Sequence, residues 1–214
     1  MSKEHFLKVC CISSQEEAQM ALEHGADFLG LVGPMPSGPG ILSLEEISQI
    51  VRDIPAEAKT VLLTSSSDVS AIIADYNQVK TKAIQLVREL SVSELAAVRA
   101  ALPDVILLAV VHVEDASAIE RAKSYEDNAD YILLDSGKPT AGILGGTGNT
   151  HDWSVSKRIV EEVKIPVLLA GGLNAENVKD ALDGVNPHGV DLCSGVRTNG
   201  HLDPEKLRDF VSQL

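Results

Sequence analysis

Short apolar runs rich in β-branched residues recur along the chain. Each is followed by a stretch whose apolar positions return every three to four residues. The runs at 6–12, 27–32, 59–64, 83–87, 105–113, 131–134, 165–169 and 189–190 predict eight strands. Between them, Ser13-Ser14 caps a helix running to His24-Gly25, and Ser43-Leu44-Glu45-Glu46 is a capping box for the next. Ser67-Asp68 opens a third helix, and residues 91–102 and 114–126 predict two more, the latter with Ala116, Ile119 and Ala122 on one face. A sixth helix starts near Asp152 with Trp153 in its first turn, a seventh follows Asn174, and the last spans 203–214. Most of the strands are apolar throughout instead of alternating, the mark of a parallel sheet covered on both sides. Eight strand-then-helix units with no low-complexity linker predict one α/β domain over residues 1–214, a closed (β/α)8 TIM barrel.

Two turns interrupt this regularity. Ala170-Gly171-Gly172-Leu173-Asn174 follows the seventh strand and Asp191-Leu192-Cys193-Ser194-Gly195-Val196 the eighth. Glycine at a strand-to-helix junction lets the backbone turn sharply and present N–H groups, which suit a phosphate. In such a barrel, function collects where strands end. The polar residues there are Cys10 and Cys11, Gln85 and Arg88, His112, Asp135, Asp191 and Ser194. Strand alternation expects Cys10 and Cys11 to face opposite sides, one toward the barrel mouth and one toward a helix.

Composition narrows the partners. A net charge of −13 argues against nucleic acid or an anionic membrane, and 3% aromatic content provides no stacking platform for bases. No apolar stretch is long enough to span a bilayer, and Met1-Ser2-Lys3-Glu4-His5 does not read as a signal peptide. Three cysteines, two of them adjacent, do not make a disulfide framework, so a reducing cytoplasm is the expected setting. No pair of histidines has metal-ligand spacing. His112 and His151 are candidate ligand contacts.

Several of these pieces resemble the phosphoribosylanthranilate isomerase family of tryptophan-pathway barrels. They are Lys8-Val9-Cys10, Leu133-Leu134-Asp135, Leu144-Gly145-Gly146-Thr147-Gly148 with Asp152-Trp153, Leu169-Ala170-Gly171-Gly172-Leu173-Asn174, and Gly189-Val190-Asp191 with Ser194-Gly195-Val196. The resemblance implies an aldose–ketose isomerase, which rearranges N-(5-phosphoribosyl)anthranilate to an aminodeoxyribulose phosphate. It implies neither metal nor cofactor, and a monomer or homodimer. Asp135 then matches the general acid and Cys10 the general base. Amides around Gly171, Gly172, Leu173, Ser194 and Gly195 would hold the phosphate, and Asp191, Arg88 and His112 would contact substrate. An acid that must arrive protonated suits a raised pKa, whereas a thiol acting as base suits a lowered one, which a nearby cation supplies.

Three positions depart from the family pattern. Cys11 stands where the family has Gly, Gly40 where it has the Arg that grips the anthranilate carboxylate, and Val87-Arg88 where it has His-Gly. Arg88 is the candidate replacement for the missing guanidinium, and Arg197 a second cation for the phosphate. Two alternatives stay open: a barrel isomerase or aldolase acting on another sugar phosphate, and a non-catalytic paralogue that only binds phosphate ligands.

Overall fold

The structure is a computed structural model that describes residues 5–136 and 152–214. Its first half runs β1 (Phe6–Val9), α1 (Gln15–Glu23), β2 (Phe28–Val32), α2 (Leu44–Asp53), β3 (Thr60–Thr64), α3 (Val69–Val79), β4 (Ala83–Leu86) and α4 (Val92–Ala101). The second runs β5 (Ile106–His112), α5 (Ser117–Ser124), β6 (Tyr131–Asp135), α6 (Trp153–Glu162), β7 (Val167–Leu169), α7 (Val178–Val185), β8 (Gly189–Leu192) and α8 (Pro204–Val211). The eight strands pair in chain order, all parallel, and β8 closes onto β1. A short hairpin, Arg197–Thr198 with His201–Leu202, separates β8 from α8.

Local chemistry fixes the helix starts. Ser43 and Ser91 form reciprocal capping boxes with Glu46 and Glu94, while Asp68, Asp152 and Asp203 accept hydrogen bonds from the first turns of α3, α6 and α8. Each such cap stabilises its helix by about 1 kcal/mol. Three expected boundaries move. Residues 174–177 form a turn ahead of α7, because Asn174 Oδ1 accepts from the amides of Glu176 and Asn177 while Asn177 Oδ1 accepts from that of Asn174. Asp115 Oδ1 takes the Ser117 amide, so α5 begins later than its periodicity suggests. Pro166 has no N–H to give, and β7 begins after it.

Strand alternation divides the buried apolar residues into two groups. One lies between sheet and helices, with Leu7, Val9, Leu29 and Leu31 among its members. The other fills the barrel interior, with Phe28, Val61, Leu108, Val110, Leu133 and Leu168. At the N-terminal end of the barrel, Phe6, Phe28 and Tyr131 pack ring on ring, Phe6 and Phe28 edge to face at 4.8 Å between centroids. This aromatic floor sits at the end of the barrel opposite the strand C-termini. Polar interior residues, Lys8, Gln85, His112, Asp135 and Asp191, belong to the upper levels.

The seam between β1 and β8 leaves no room for a side chain at its base. Gly189 pairs with Phe6, and a Cβ there would lie 2.2 Å from the Phe6 carbonyl oxygen. By contrast, a Cβ at Gly184 in α7 would meet nothing within 4 Å. Gly189→Ala is therefore expected to cost at least about 3 kcal/mol of unfolding free energy. Gly184→Ala is expected to be neutral or to add up to about 1 kcal/mol. Urea denaturation of the two variants beside the parent chain checks both signs.

Candidate active site

The mouth of the barrel is organised by a charge buried in β1. Lys8 lies wholly out of solvent inside the barrel, its Nζ 2.8 Å from Asp191 Oδ1 on β8, the residue opposite it in register. Gly30 makes the space for it. A Cβ at that position would fall 3.0 Å from Cys10 Sγ and 3.2 Å from Lys8 Nζ. The Lys8 ammonium reaches the Cys10 thiol as well as Asp191. Burial opposes its charge, but the neighbouring carboxylate and thiol outweigh that and hold its pKa above the ordinary lysine value.

Cys10 is two residues further on, just past the end of β1, and buried. Desolvation dominates its titration and pushes the thiol up to about 11, against the lowering effect of Lys8. This corrects the expectation of a lowered thiol pKa: the cation is present, but removing the thiolate from water costs more than it returns. Asp135, on the far wall at the end of β6, moves in the expected direction. Burial raises its carboxyl, opposed by the Ser136 amide, which donates to Oδ1 at 2.7 Å, and by His112 and Lys8. Asp191 is raised too, by burial first, with repulsion from Asp135 adding to it.

His112 pairs with Asp135 across β5 and β6 and is 1% exposed. Its Nε2 lies 3.2 Å from the Val87 carbonyl oxygen, and its Nδ1 has no partner among the described residues. Gln85 Oε1 on β4 is likewise buried and unpartnered among them. Two polar atoms thus border the mouth interior without a partner among the described residues.

The glycine turns form the rim at β7 and β8. Gly171 and Gly172 adopt positive φ of 86° and 65°. Asn177 Nδ2 holds the Gly172 carbonyl at 3.0 Å. Ser194–Val196 forms one 3-10 turn, and its Gly195 is pressed against the first loop: a Cβ there would lie 2.0 Å from the Leu173 carbonyl oxygen. The amides of Gly171, Gly172, Leu173, Ser194 and Gly195 donate to no acceptor among the described residues. Five candidate phosphate donors therefore share one edge of the mouth.

Other expected residues sit elsewhere. Arg88 is exposed beyond β4, its Nε donating to the Ser65 carbonyl oxygen at 3.2 Å. Arg197 is not a free cation for phosphate. It is buried, ion-paired to Glu17 of α1 at 3.0 Å, and Nη2 donates to the carbonyls of Cys10 and Cys11. Cys10 and Cys11 do not diverge as alternation expects. Cys11 has φ of 62°, so the pleat stops after Cys10 and both side chains join the interior cluster. Cys11 and Cys193 are bonded, contrary to the expectation of unpaired thiols, because the fold brings residues 182 apart in sequence to a Cα separation of 6.0 Å. His151 and the Gly145-Gly146-Thr147-Gly148 segment lie outside the described residues. Among the described residues, no His, Cys, Asp or Glu cluster has the makings of a metal site.

Sequence reasoning assigned no role to Lys8. The signal was present, since a single charge inside an apolar strand reads as outward-facing or as buried and paired, and only the second suits a strand covered on both faces. Glu17 had no comparable signal, because its partner Arg197 is contributed from the other end of the chain.

A barrel with phosphate-type amides at the ends of its last two strands and titratable groups around its mouth belongs to the (β/α)8 enzymes. No helix among the described residues is long and apolar enough to cross a membrane. The family model described as N-(5'-phosphoribosyl)anthranilate (PRA) isomerase matches residues 7–213, and the chain belongs to that family, whose reaction is an aldose–ketose isomerisation. It is 35% identical to the N-(5'-phosphoribosyl)anthranilate isomerase of Methanothrix thermoacetophila, with 97% of each covered. The phosphoribosylanthranilate isomerase of Thermotoga maritima superposes with a TM-score of 0.84 at 29% identity, with 98% of each chain covered. A phosphoribosylanthranilate isomerase solved in complex with reduced 1-(o-carboxyphenylamino)-1-deoxyribulose 5-phosphate gives 0.81 at 27% identity, covering 98% of this chain and 97% of that one.

The raised thiol pKa has a consequence for stability. The folded pKa of Cys10, about 11, lies above its ordinary value of 9.0. The stabilisation from keeping this thiol protonated is complete below pH 9 and is lost as pH rises toward 11, by roughly 2–3 kcal/mol. Subtracting the pH–stability curve of Cys10→Ala from that of the parent chain isolates this loss. A difference curve flat from pH 8 to pH 11 contradicts the burial argument.

Proposed function

We propose that this chain, in the cytoplasm, converts N-(5'-phosphoribosyl)anthranilate to 1-(o-carboxyphenylamino)-1-deoxyribulose 5-phosphate in tryptophan biosynthesis, with Asp135 as general acid and Cys10 as general base. What supports these roles is a raised carboxyl and a thiol beside a lysine at a mouth shared with five amides that have no acceptor among the described residues. The amides of Gly171, Gly172, Leu173, Ser194 and Gly195 hold the 5'-phosphate. Asp135 gives its proton to the ring oxygen as the bond from that oxygen to C1 breaks, and the nitrogen lone pair forms the iminium. The Cys10 thiolate then takes the C2 proton, and the C–H electron pair closes an enamine that tautomerises to the ketone. Asp191 and the Lys8 cation stand beside the sulfur to receive its proton and stabilise its charge. His112 and Gln85 offer polar atoms to the sugar. No step needs a cofactor.

The aglycone end differs. Gly40 sits at φ of 66° with its Cβ position 3.0 Å from Cys11 Cβ, so residue 11 occupies the space a side chain at 40 would need. Arg88 is the cation we assign to the anthranilate carboxylate; exposed past the end of β4, its guanidinium leaves the Ser65 carbonyl and swings over the mouth to reach it. The same Gly40 geometry favours a second reading, in which the barrel isomerises an aminoribosyl phosphate that lacks the carboxylate.

Complementation of a tryptophan auxotroph lacking this isomerase decides between the two readings: growth supports the first, and failure with soluble, folded protein favours the second. Cys10→Ala and Asp135→Ala are each expected to reduce turnover by at least about a hundredfold while leaving phosphate-ester affinity nearly unchanged. Full activity in both variants would falsify the assigned chemistry.

The two pKa values also set the shape of the pH profile. The acid must be protonated and the base ionised, yet the acid titrates below the base. Between the two pKa values the rising thiolate fraction cancels the falling carboxylic acid fraction. The expected kcat/KM therefore forms a plateau bounded on the acid side by the raised Asp135 pKa and on the alkaline side near 11. An alkaline limb that falls well below pH 11 with no plateau before it contradicts this pairing. Arg88→Ala is expected to raise KM for the carboxylate-bearing substrate by about one to two orders of magnitude, and an unmoved KM removes Arg88 from the site.

A further inference from the structure

We propose that Cys11 and Cys193 form a reversible disulfide clamp on the phosphate loop, tightening its hold on a phosphate ester when oxidised and relaxing it when reduced. The proposal rests on the reading of residues 194 and 195 as phosphate donors. The two sulfurs are bonded across a Cα separation of 6.0 Å, within the span a disulfide requires, and join loops 182 residues apart.

The two ends of this link are held differently. On the β1 side, Arg197 donates to the carbonyls of Cys10 and Cys11 and is itself ion-paired to Glu17, so Cys11 stays in place whether or not the sulfur bond exists. On the β8 side, Cys193 immediately precedes the Ser194–Val196 turn, whose Gly195 rests against the Leu173 carbonyl. Arg197 also pins the far end of the Ser194–Val196 turn, so breaking the bond frees only the Cys193 end of the phosphate loop and leaves β1 fixed. Cys10 takes no part: it is the free thiol, and its sulfur lies beside Lys8.

Exposure sets the order of events. Cys193 is partly exposed, while Cys11 is 4% exposed. The Cys193 thiolate attacks a low-molecular-weight disulfide such as oxidised glutathione, and one small thiolate leaves. The Cys11 thiolate then attacks the Cys193 sulfur of the mixed disulfide and expels the second. Two protein S–H bonds and one small-molecule S–S bond are exchanged for one protein S–S bond and two small thiols, and reduced glutathione reverses the sequence. In a reducing compartment a bond of this kind acts as a sensor and contributes little permanent support.

The full chain is equilibrated in glutathione buffers of graded redox ratio, quenched with acid, denatured and alkylated, and the alkyl groups are counted by mass spectrometry. The parent is expected to pass from three alkylated cysteines to one, with peptide mapping placing the remaining alkyl group on Cys10. Its Kd for inorganic phosphate, measured by calorimetry at the two ends of the series, is expected to be at least about threefold tighter when oxidised. Its Tm is expected to fall by about 5 °C or more on reduction. Cys193→Ser, with Cys193→Ala as a second variant should the first fold poorly, is expected to show neither response. Three alkylated cysteines at every ratio, or a bond that includes Cys10, overturns the proposal. So does a Cys11–Cys193 bond that forms while phosphate affinity stays the same, an outcome that leaves the phosphate reading intact. Absence of phosphate binding in both redox states instead removes the phosphate-loop reading and the clamp with it, even with the disulfide demonstrated by mass.

Discussion

Inside the barrel, one lysine faces one aspartate across the seam where the last strand meets the first. Placing both charges out of water costs several kcal/mol per ion, and their attraction recovers this only with close geometry and further hydrogen-bonding partners. The chain meets those terms locally. Gly30 keeps the neighbouring wall bare, and the Cys10 sulfur gives the ammonium a second contact. Removing one member would strand the other in the interior, a loss of roughly 3–5 kcal/mol. A hydrophobic pair would support closure of the sheet at least as well. The pair is therefore better explained by the electrostatics it imposes on its neighbours than by the stability it adds.

Those electrostatics explain why the two walls of the mouth behave alike. Cys10 and Asp135 stand on different strands, yet burial raises both, and Lys8 moderates both without reversing either, joined at Asp135 by His112. Had Lys8 been solvated, the high dielectric of water would have weakened its pull several-fold. Had it been absent, a thiol in the same apolar setting would titrate higher still. The cation is thus a limit on how far desolvation carries the pair, and it works because Asp191 keeps it charged. Asp191 in turn is raised and lies close enough to Lys8 to exchange protons within the cluster. Lys8, Cys10 and Asp191 behave as one titrating unit, with Asp135 coupled to it across the cavity.

The eight-unit barrel was legible because strand and helix signals are local. Apolar runs such as 131–134 and caps such as Ser43 with Glu46 need no information from distant residues. The ends of the strands were legible for the same reason, and so was the cluster of glycine turns. What could not be read were relations across the closure. Arg197 looked like a free cation for phosphate because its anion, Glu17, lies in α1, at the other end of the sequence. Cys11 looked like a residue turned toward a helix because alternation was extended one position too far, past the point where φ becomes 62°. Its union with Cys193 depends on the closing of β8 onto β1, which no spacing rule encodes. Lys8 was visible as an anomaly, but its partner was not.

These misreadings fall at one place, the start of the β1–α1 loop, and they are physically linked. A residue with a side chain in the left-handed region carries a penalty of about 1–2 kcal/mol relative to glycine. Cys11 tolerates it because the Arg197 guanidinium binds the carbonyls on both sides of the strained peptide, and Glu17 in turn secures Arg197. The conformation that results directs the Cys11 side chain toward Gly40 and excludes a side chain there. A Cβ at 40 would crowd the Cβ, carbonyl oxygen and Cα of Cys11 at 3.0–3.3 Å, and the φ of 66° at Gly40 is one that glycine adopts freely, so glycine suits position 40 on both counts. The mouth accordingly has two halves under different constraints. The phosphate rim and the titrating cluster are built from backbone amides and strand-end side chains whose positions follow from barrel closure itself. The edge formed by the β1–α1 and β2–α2 loops is set instead by the close approach of residues 11 and 40, so it can change while the titrating cluster stays in place.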